Sequence, residues 1–110
     1  MAGSDLFTGS LDLLILKALS WGPRYGYAIG LWLRQRGGEI LPVAEGALYP
    51  ALHRLEQQGY LDEEWGETDT GREAKFYRLT TPGRRRLKAE TERWCSYARV
   101  MRAALESGRP

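Results

Sequence analysis

The sequence has one cysteine, one histidine and little net charge, and each shortage closes off a class of function. A lone Cys95 can form neither an internal disulfide nor a cysteine-rich zinc site. His53 is the only histidine, and it is expected on a different helix from Cys95. No Ser/His/Asp or Cys/His arrangement and no phosphate-binding glycine loop is visible, so an enzyme is not expected, nor any metal or cofactor. No apolar run approaches the roughly 20 residues that cross a bilayer. The start, Met1 to Leu6, lacks the basic-then-apolar order of a secretion signal. A cytoplasmic protein with no membrane partner is the expectation. A net charge of +2 is compatible with nucleic acid but adds little to the case for it.

What is present is enough for one small domain. Of the 110 residues 43% are hydrophobic, enough for a modest core. A domain this short buries a smaller share of its surface than a larger one, so a long apolar helix left over gains by pairing with a second copy.

The expected order is helix, helix, helix, hairpin, helix. Ser10 is a candidate N-cap for a first helix over Leu11 to Leu19, whose leucines and Ile15 leave little polar face and mark it as buried. Trp21-Gly22-Pro23 ends it. A second helix from about Tyr25 to Gln35 carries Ala28, Ile29, Trp32 and Leu33 at helical spacing and stops at Gly37-Gly38. Gly26 and Gly30, four apart, mark close approach of another helix. Ile40 to Val43 is expected to be extended, held so by Pro42.

The third helix, about Glu45 to Gln58, has Leu48, Leu52 and Leu55 as its buried stripe. Its opposite face carries Glu45, Tyr49, His53 and Gln57, with Arg54 at the edge. Two flanks rich in aromatics, Tyr60 to Trp65 and Arg72 to Leu79, surround the turn-forming Gly66 to Gly71 and predict a hairpin. Thr81 as N-cap with Pro82 at the first helical position starts a last helix to about Leu105, roughly 36 Å long.

Three helices and a hairpin in this order make a winged helix-turn-helix, a mainly α fold with a β-hairpin wing. Residues 1–80 would form the DNA-binding domain and residues 81–110 a C-terminal dimerisation helix and tail. The major groove is about 12 Å wide and admits one helix, and a hairpin beside it can bring Arg72 and Lys75 to the backbone or the adjacent minor groove.

The residues also resemble a known family. Tyr25-Gly26-Tyr27, the run from Glu45 through Gly46-Ala47-Leu48-Tyr49-Pro50-Ala51-Leu52 to Glu56, Gly59-Tyr60-Leu61, and Ala74-Lys75-Phe76-Tyr77-Arg78-Leu79-Thr80 with Gly83 are similar to the PadR family of transcriptional regulators. The similarity covers about Leu11 to Leu87, and the short last helix matches the family's compact subclass. It implies a homodimeric repressor on a palindromic operator, released in some members by small aromatic molecules. Where the family often has Ser or Thr, this chain has Ala44, so the third helix lacks a side-chain cap, at a typical cost of about 1 kcal/mol. Pro50, which the family pattern shares, removes one backbone hydrogen bond and predicts a local kink.

The expected DNA-facing set is Gly46, Tyr49, Pro50, His53, Arg54, Arg72 and Lys75. His53 could equally be solvated, and Arg54 could equally pair with an acidic neighbour. Glu67, Asp69 and Glu73 on the wing would repel DNA if they pointed the same way, which favours an alternative, a winged-helix module that binds protein instead. Arg84-Arg85-Arg86 is read as a solvated helix start.

Leu87, Thr91, Trp94, Ala98, Met101 and Leu105 fall at spacings of four and three, a heptad seam for pairing with a second copy. Trp94 is either plain interface packing or, as the resemblance implies for some compact members, one wall of a site for a flat aromatic ligand. Cys95 widens the stripe as a small hydrophobe.

Overall fold

The computed structural model describes residues 2–37 and 45–110. It contains α1 (Ala2–Ala18), β1 (Arg24–Tyr25), α2 (Gly26–Gly37), α3 (Glu45–Gln57), β2 (Leu61–Glu67), β3 (Glu73–Leu79) and α4 (Thr81–Leu105). This is the mainly α fold with a β wing that the sequence predicts. The extended segment expected at Ile40 to Val43, the uncapped Ala44 and the side chain of Glu45 lie outside the described residues.

The first helix corrects the expectation at its start. It runs through Ser10 from Ala2, so Ser10 is an interior residue and caps nothing. Extending an existing helix by a residue is far easier than nucleating one, and no proline interrupts residues 2–18. Burial is also less even than the apolar content predicts. Leu11, Ile15, Leu16, Ala18 and Leu19 are buried, whereas Leu13 and Leu14 are half-buried and Lys17 is exposed.

Those five residues meet Ile29 and Leu33 of α2, Leu48, Ala51, Leu52 and Leu55 of α3, and Leu61, Tyr77 and Leu79 of the sheet in one core. Full burial of a Leu or Ile stabilises by about 1.5–3 kcal/mol, so the leucine stripe of α3 fixes which face that helix turns outward.

A strand the sequence did not predict joins the hairpin. β1 pairs antiparallel with β3, Arg24 opposite Tyr77 and Tyr25 opposite Phe76, giving a three-stranded sheet of order β1-β3-β2. Two residues are too few to carry an alternating pattern. Arg24 also donates from Nε to the Ala18 carbonyl at 2.9 Å, satisfying a free acceptor at the end of α1.

The hairpin pairs Leu61 with Leu79 through Glu67 with Glu73. β2 therefore runs two residues past its expected end at Trp65. The tip is tightened by Thr68, whose amide donates to the Arg72 carbonyl at 2.8 Å and whose hydroxyl accepts from the Arg72 amide at 3.2 Å.

The cap of α4 lies one residue earlier than expected. Thr80, not Thr81, is the N-cap: its hydroxyl accepts from the Gly83 amide at 3.0 Å and donates to the Gly59 carbonyl at 2.7 Å. Pro82 consequently sits one position further into the first turn, where an amide hydrogen is still dispensable. At Gly83 the helix presses on the α3–β2 connection so closely that a Cβ would lie 2.1 Å from the Tyr60 carbonyl oxygen. Beyond Leu87 the 25-residue α4 leaves the core, and it lends the molecule its elongated 58 × 29 × 26 Å outline. Among the described residues no helix is long and apolar enough to cross a membrane.

Candidate nucleic-acid interface

With Leu48, Ala51, Leu52 and Leu55 turned into the core, α3 presents Gly46, Tyr49, Pro50, His53 and Gln57 to solvent. Helical geometry alone brings this about, because residues three and four apart share a face. α2 decides where Tyr49 goes. Its ring lies against Gly26 at the start of α2, and a Cβ on Gly26 would meet the Tyr49 hydroxyl at 2.6 Å. Gly30, one turn on, allows a milder approach of α3, since a Cβ there would lie 3.3 Å from Leu48 Cδ2 and 3.2 Å from Nη1 of Arg34 in its own helix. Both glycines thus serve helix–helix contact, as their spacing predicts.

Between the start of α2, the outer face of α3 and the wing lies a cleft of about 470 Å³. Tyr49, Arg72 and Lys75 all line it, so three of the residues predicted from sequence converge on one place. Tyr27 and the hydroxyl-bearing Thr68 and Thr70 line it too; Tyr27 was named only within the Tyr25-Gly26-Tyr27 stretch, and the two threonines not at all. Periodicity gives no signal for these three, since Tyr27 and the wing tip lie on separate elements that meet only when the wing folds back. Glu73 also lines the cleft, and across the hairpin it sits opposite Glu67, so part of the wing's acidity does face the same way as its cations.

Lys75 is not isolated there. Its ammonium lies 3.2 Å from the Glu63 carboxylate and 5.8 Å from the centre of the Trp65 ring. The carboxyls of Glu63 and of Glu56 on α3 influence each other's protonation. Burial, then the hydrogen bond to Glu63 and its charge, push the Glu56 carboxyl up to about 7. The hydrogen bond from Glu56, then that from Lys75, hold Glu63 below the usual carboxylate range. Burial, aided by the charges of Glu56 and Glu63, raises the phenol of Tyr77 behind them. Neither glutamate was expected at the site. Glu56 does lie three residues after His53, which puts the two on neighbouring positions of one helix face.

Arg54 takes the ion pair that the sequence left open. Its guanidinium binds Asp12 of α1, Nη2 to Oδ1 at 2.5 Å, which ties α3 to α1 and turns this cation away from the cleft. On the far face of the wing Arg78 pairs with Glu64 at 3.2 Å and Asp62 at 4.0 Å.

The seam residues of α4 have a different environment. Leu87 packs on the core, but Trp94, Met101 and Leu105 are exposed by 45%, 39% and 76%, together with Tyr97 and Val100. Thr91 spends its hydroxyl on the Leu87 carbonyl at 2.6 Å, and Ala98 is half-buried. Trp94 and Tyr97 border a shallow open depression, and Cys95 beside them is exposed. Among the described residues no group of three His, Cys, Asp or Glu side chains is arranged to hold a metal ion.

Comparison with known proteins agrees with this architecture. A PadR family transcriptional regulator from Eggerthella lenta is 33% identical and superposes with a TM-score of 0.77, over 97% of this chain and 91% of that one. A transcriptional regulator from Clostridium thermocellum is 33% identical with a TM-score of 0.77, over 89% and 95%. A transcriptional regulator of Mycobacterium tuberculosis is 46% identical over 56 residues, half of this chain and 51% of the other, so this chain matches only about half the length of that relative. The model of the transcriptional regulator PadR-like family matches residues 15–89, from the middle of α1 through the wing into α4, and the chain belongs to that family.

Proposed function

We propose that this PadR-like regulator is a cytoplasmic repressor that binds a palindromic operator as a homodimer. α3 enters the major groove with Gly46, Tyr49, Pro50 and His53 toward the bases, and the wing brings Arg72 and Lys75 to the flanking phosphates. The observation that carries this reading is the convergence of Tyr49, Arg72 and Lys75 on one cleft beside the exposed face of α3. Hydroxyls and cations there suit phosphate oxygens, which take half or more of the hydrogen bonds in such complexes. Arg54, engaged by Asp12, supports the fold in place of DNA contact.

Residues 1–80 act as the DNA-reading unit and residues 81–110 as the pairing helix. The apolar stripe Trp94, Met101 and Leu105 stands out of the core unpartnered, and a second copy across a two-fold axis would cover it. Two α3 helices then meet half-sites about 34 Å apart, one DNA turn. A flat aromatic effector between Trp94 and its counterpart in the second copy would release the repressor by altering that spacing.

The test is footprinting and salt-dependent titration on the DNA upstream of the protein's own gene. A protected palindrome, with affinity falling steeply as salt rises, is the expected result. No preference over random duplex would overturn the reading. In its place would stand a protein-binding winged helix, which the acidic Glu67–Glu73 pair on the wing favours.

A further inference from the structure

The wing carries one aromatic that its packing does not explain. Trp65 is 66% exposed, although an indole is among the largest apolar groups a fold can bury. Side chains alternate along a strand, so Leu61, Glu63, Trp65 and Glu67 of β2 share a face with Leu79, Tyr77, Lys75 and Glu73 of β3. The inner end of that face, Leu61, Tyr77 and Leu79, belongs to the core. Its outer end turns toward α3, where Lys75 and Glu73 line the cleft. β2 is the outer strand of the sheet, so Trp65, directly opposite Lys75, continues this surface beyond the cleft.

We infer that Trp65 is a further DNA-contacting residue of the wing, its indole lying flat on the deoxyribose next to the phosphate that Lys75 takes. The inference rests on the DNA-binding reading above and adds to it an uncharged contact with the backbone.

The charges around the ring favour a sugar as its partner. On this face of β2 both neighbours of Trp65 are acidic, Glu63 two residues before it and Glu67 two after. Glu63 is neutralised by Lys75 at 3.2 Å, whereas Glu67 stands opposite Glu73, like charge against like. A DNA strand passing along β2 is therefore repelled at Glu67, and Trp65 is the one uncharged side chain in this row outside the core. Deoxyribose presents C–H groups and no charge, so a ring face can cover it without desolvating a carboxylate. The ammonium of Lys75 lies 5.8 Å from the ring centre, which steers the indole from one side and leaves the other for the sugar.

Salt dependence separates this contact from an effect exerted through Lys75. An apolar contact releases no counterion, so its loss changes affinity alike at every salt concentration, whereas loss of a phosphate contact lowers the slope by about 1. Dissociation constants are measured by fluorescence anisotropy across a range of salt, on a labelled duplex carrying the DNA upstream of the protein's own gene. Trp65→Ala is expected to bind about tenfold more weakly throughout, the loss that follows when roughly 50 Å² of apolar surface no longer leaves water, and to keep the wild-type slope. Trp65→Phe retains a flat ring and most of the affinity. Unchanged affinity in Trp65→Ala overturns the inference. So does a slope lowered by about 1, since the indole then acts only by holding Lys75.

Fluorine NMR of the chain labelled with 5-fluorotryptophan reads the ring without substituting it, and so decides the matter even where Trp65→Ala lowers stability. The four tryptophan resonances are assigned by replacing each in turn with Phe. On addition of the duplex the Trp65 resonance shifts, while that of Trp21, 62% exposed between α1 and β1, stays in place. A Trp65 resonance unmoved by bound duplex, or equal shifts at Trp65 and Trp21, overturns the inference while leaving the DNA-binding reading intact. Failure of the wild type to bind any duplex overturns both.

Discussion

The ring of Tyr49 lies across Gly26, so closely that a side chain on the glycine would occupy the place of the phenol hydroxyl. α2 is therefore a template for the most exposed aromatic of α3. Gly26→Ala is expected to push that ring out of line and weaken DNA binding by about 1 kcal/mol, within the range of one good base-edge or phosphate contact. Adding Tyr49→Ala to Gly26→Ala should cost less than the sum of the two single changes. Full additivity in that double-mutant cycle, read by gel shift, would mean the two residues act separately.

Gly83 is a stricter case. A Cβ there would meet a backbone oxygen, that of Tyr60, at 2.1 Å, and backbone cannot swing aside as a side chain can. Gly83→Ala should therefore destabilise the fold by about 1–3 kcal/mol through overpacking. Thermal unfolding checks it, and an unchanged midpoint would show that α4 can lift off at little cost.

Arg54 and Lys75 separate two uses of a cation. The partly exposed Arg54–Asp12 pair holds α1 to α3, so Arg54→Ala should cost at most about 1 kcal/mol of stability and leave DNA affinity nearly unchanged. Lys75→Ala should instead weaken binding to all sequences alike and reduce the salt slope by about 1. Titrations of both variants across a range of salt decide it.

For the pairing helix, Trp94→Glu places a charge in the middle of the exposed stripe. Sedimentation at micromolar concentration is expected to find a wild-type dimer and a monomeric variant with an unchanged helical spectrum. A wild-type monomer would contradict the proposed dimer directly.

Stability should also respond to pH through Glu56. Its carboxyl is raised from 4.5 to about 7 in the folded chain, chiefly by burial and by Glu63. A raised carboxyl stabilises fully below the unfolded value and loses that contribution as pH climbs through the folded one. Glu63, held low by Glu56 and Lys75, acts in the opposite sense, and its contribution is lost on acidification below the usual carboxylate range. Melting temperature should thus fall between pH 5 and 8 in the wild type and fall less in Glu56→Gln, by scanning calorimetry.

Much of the architecture was legible because it is local. Leu48, Leu52 and Leu55 share a face whatever surrounds them, which already decided that Tyr49 and His53 point outward. The apolar stripe of α4 was legible for the same reason, and Trp94, Met101 and Leu105 on it are exposed. Boundaries were less so. Ser10 has the chemistry of a cap but lies inside α1, and the cap of α4 moved from Thr81 to Thr80, because capping depends on where hydrogen bonding begins and not on residue type alone. β1 went unseen because its two residues are ordered by pairing with β3, a partner some fifty positions away.

By itself the sequence determined the winged-helix plan, the outward face of α3 and the exposed stripe of α4, all consequences of apolar spacing at helical or strand period. Only the tertiary structure decided which polar groups meet. It sent Arg54 to Asp12, laid Tyr49 on Gly26, and joined Glu63 to Lys75. Those contacts link residues on different elements, and their energies depend on distance and burial, quantities that exist only once the hairpin has folded back against α3.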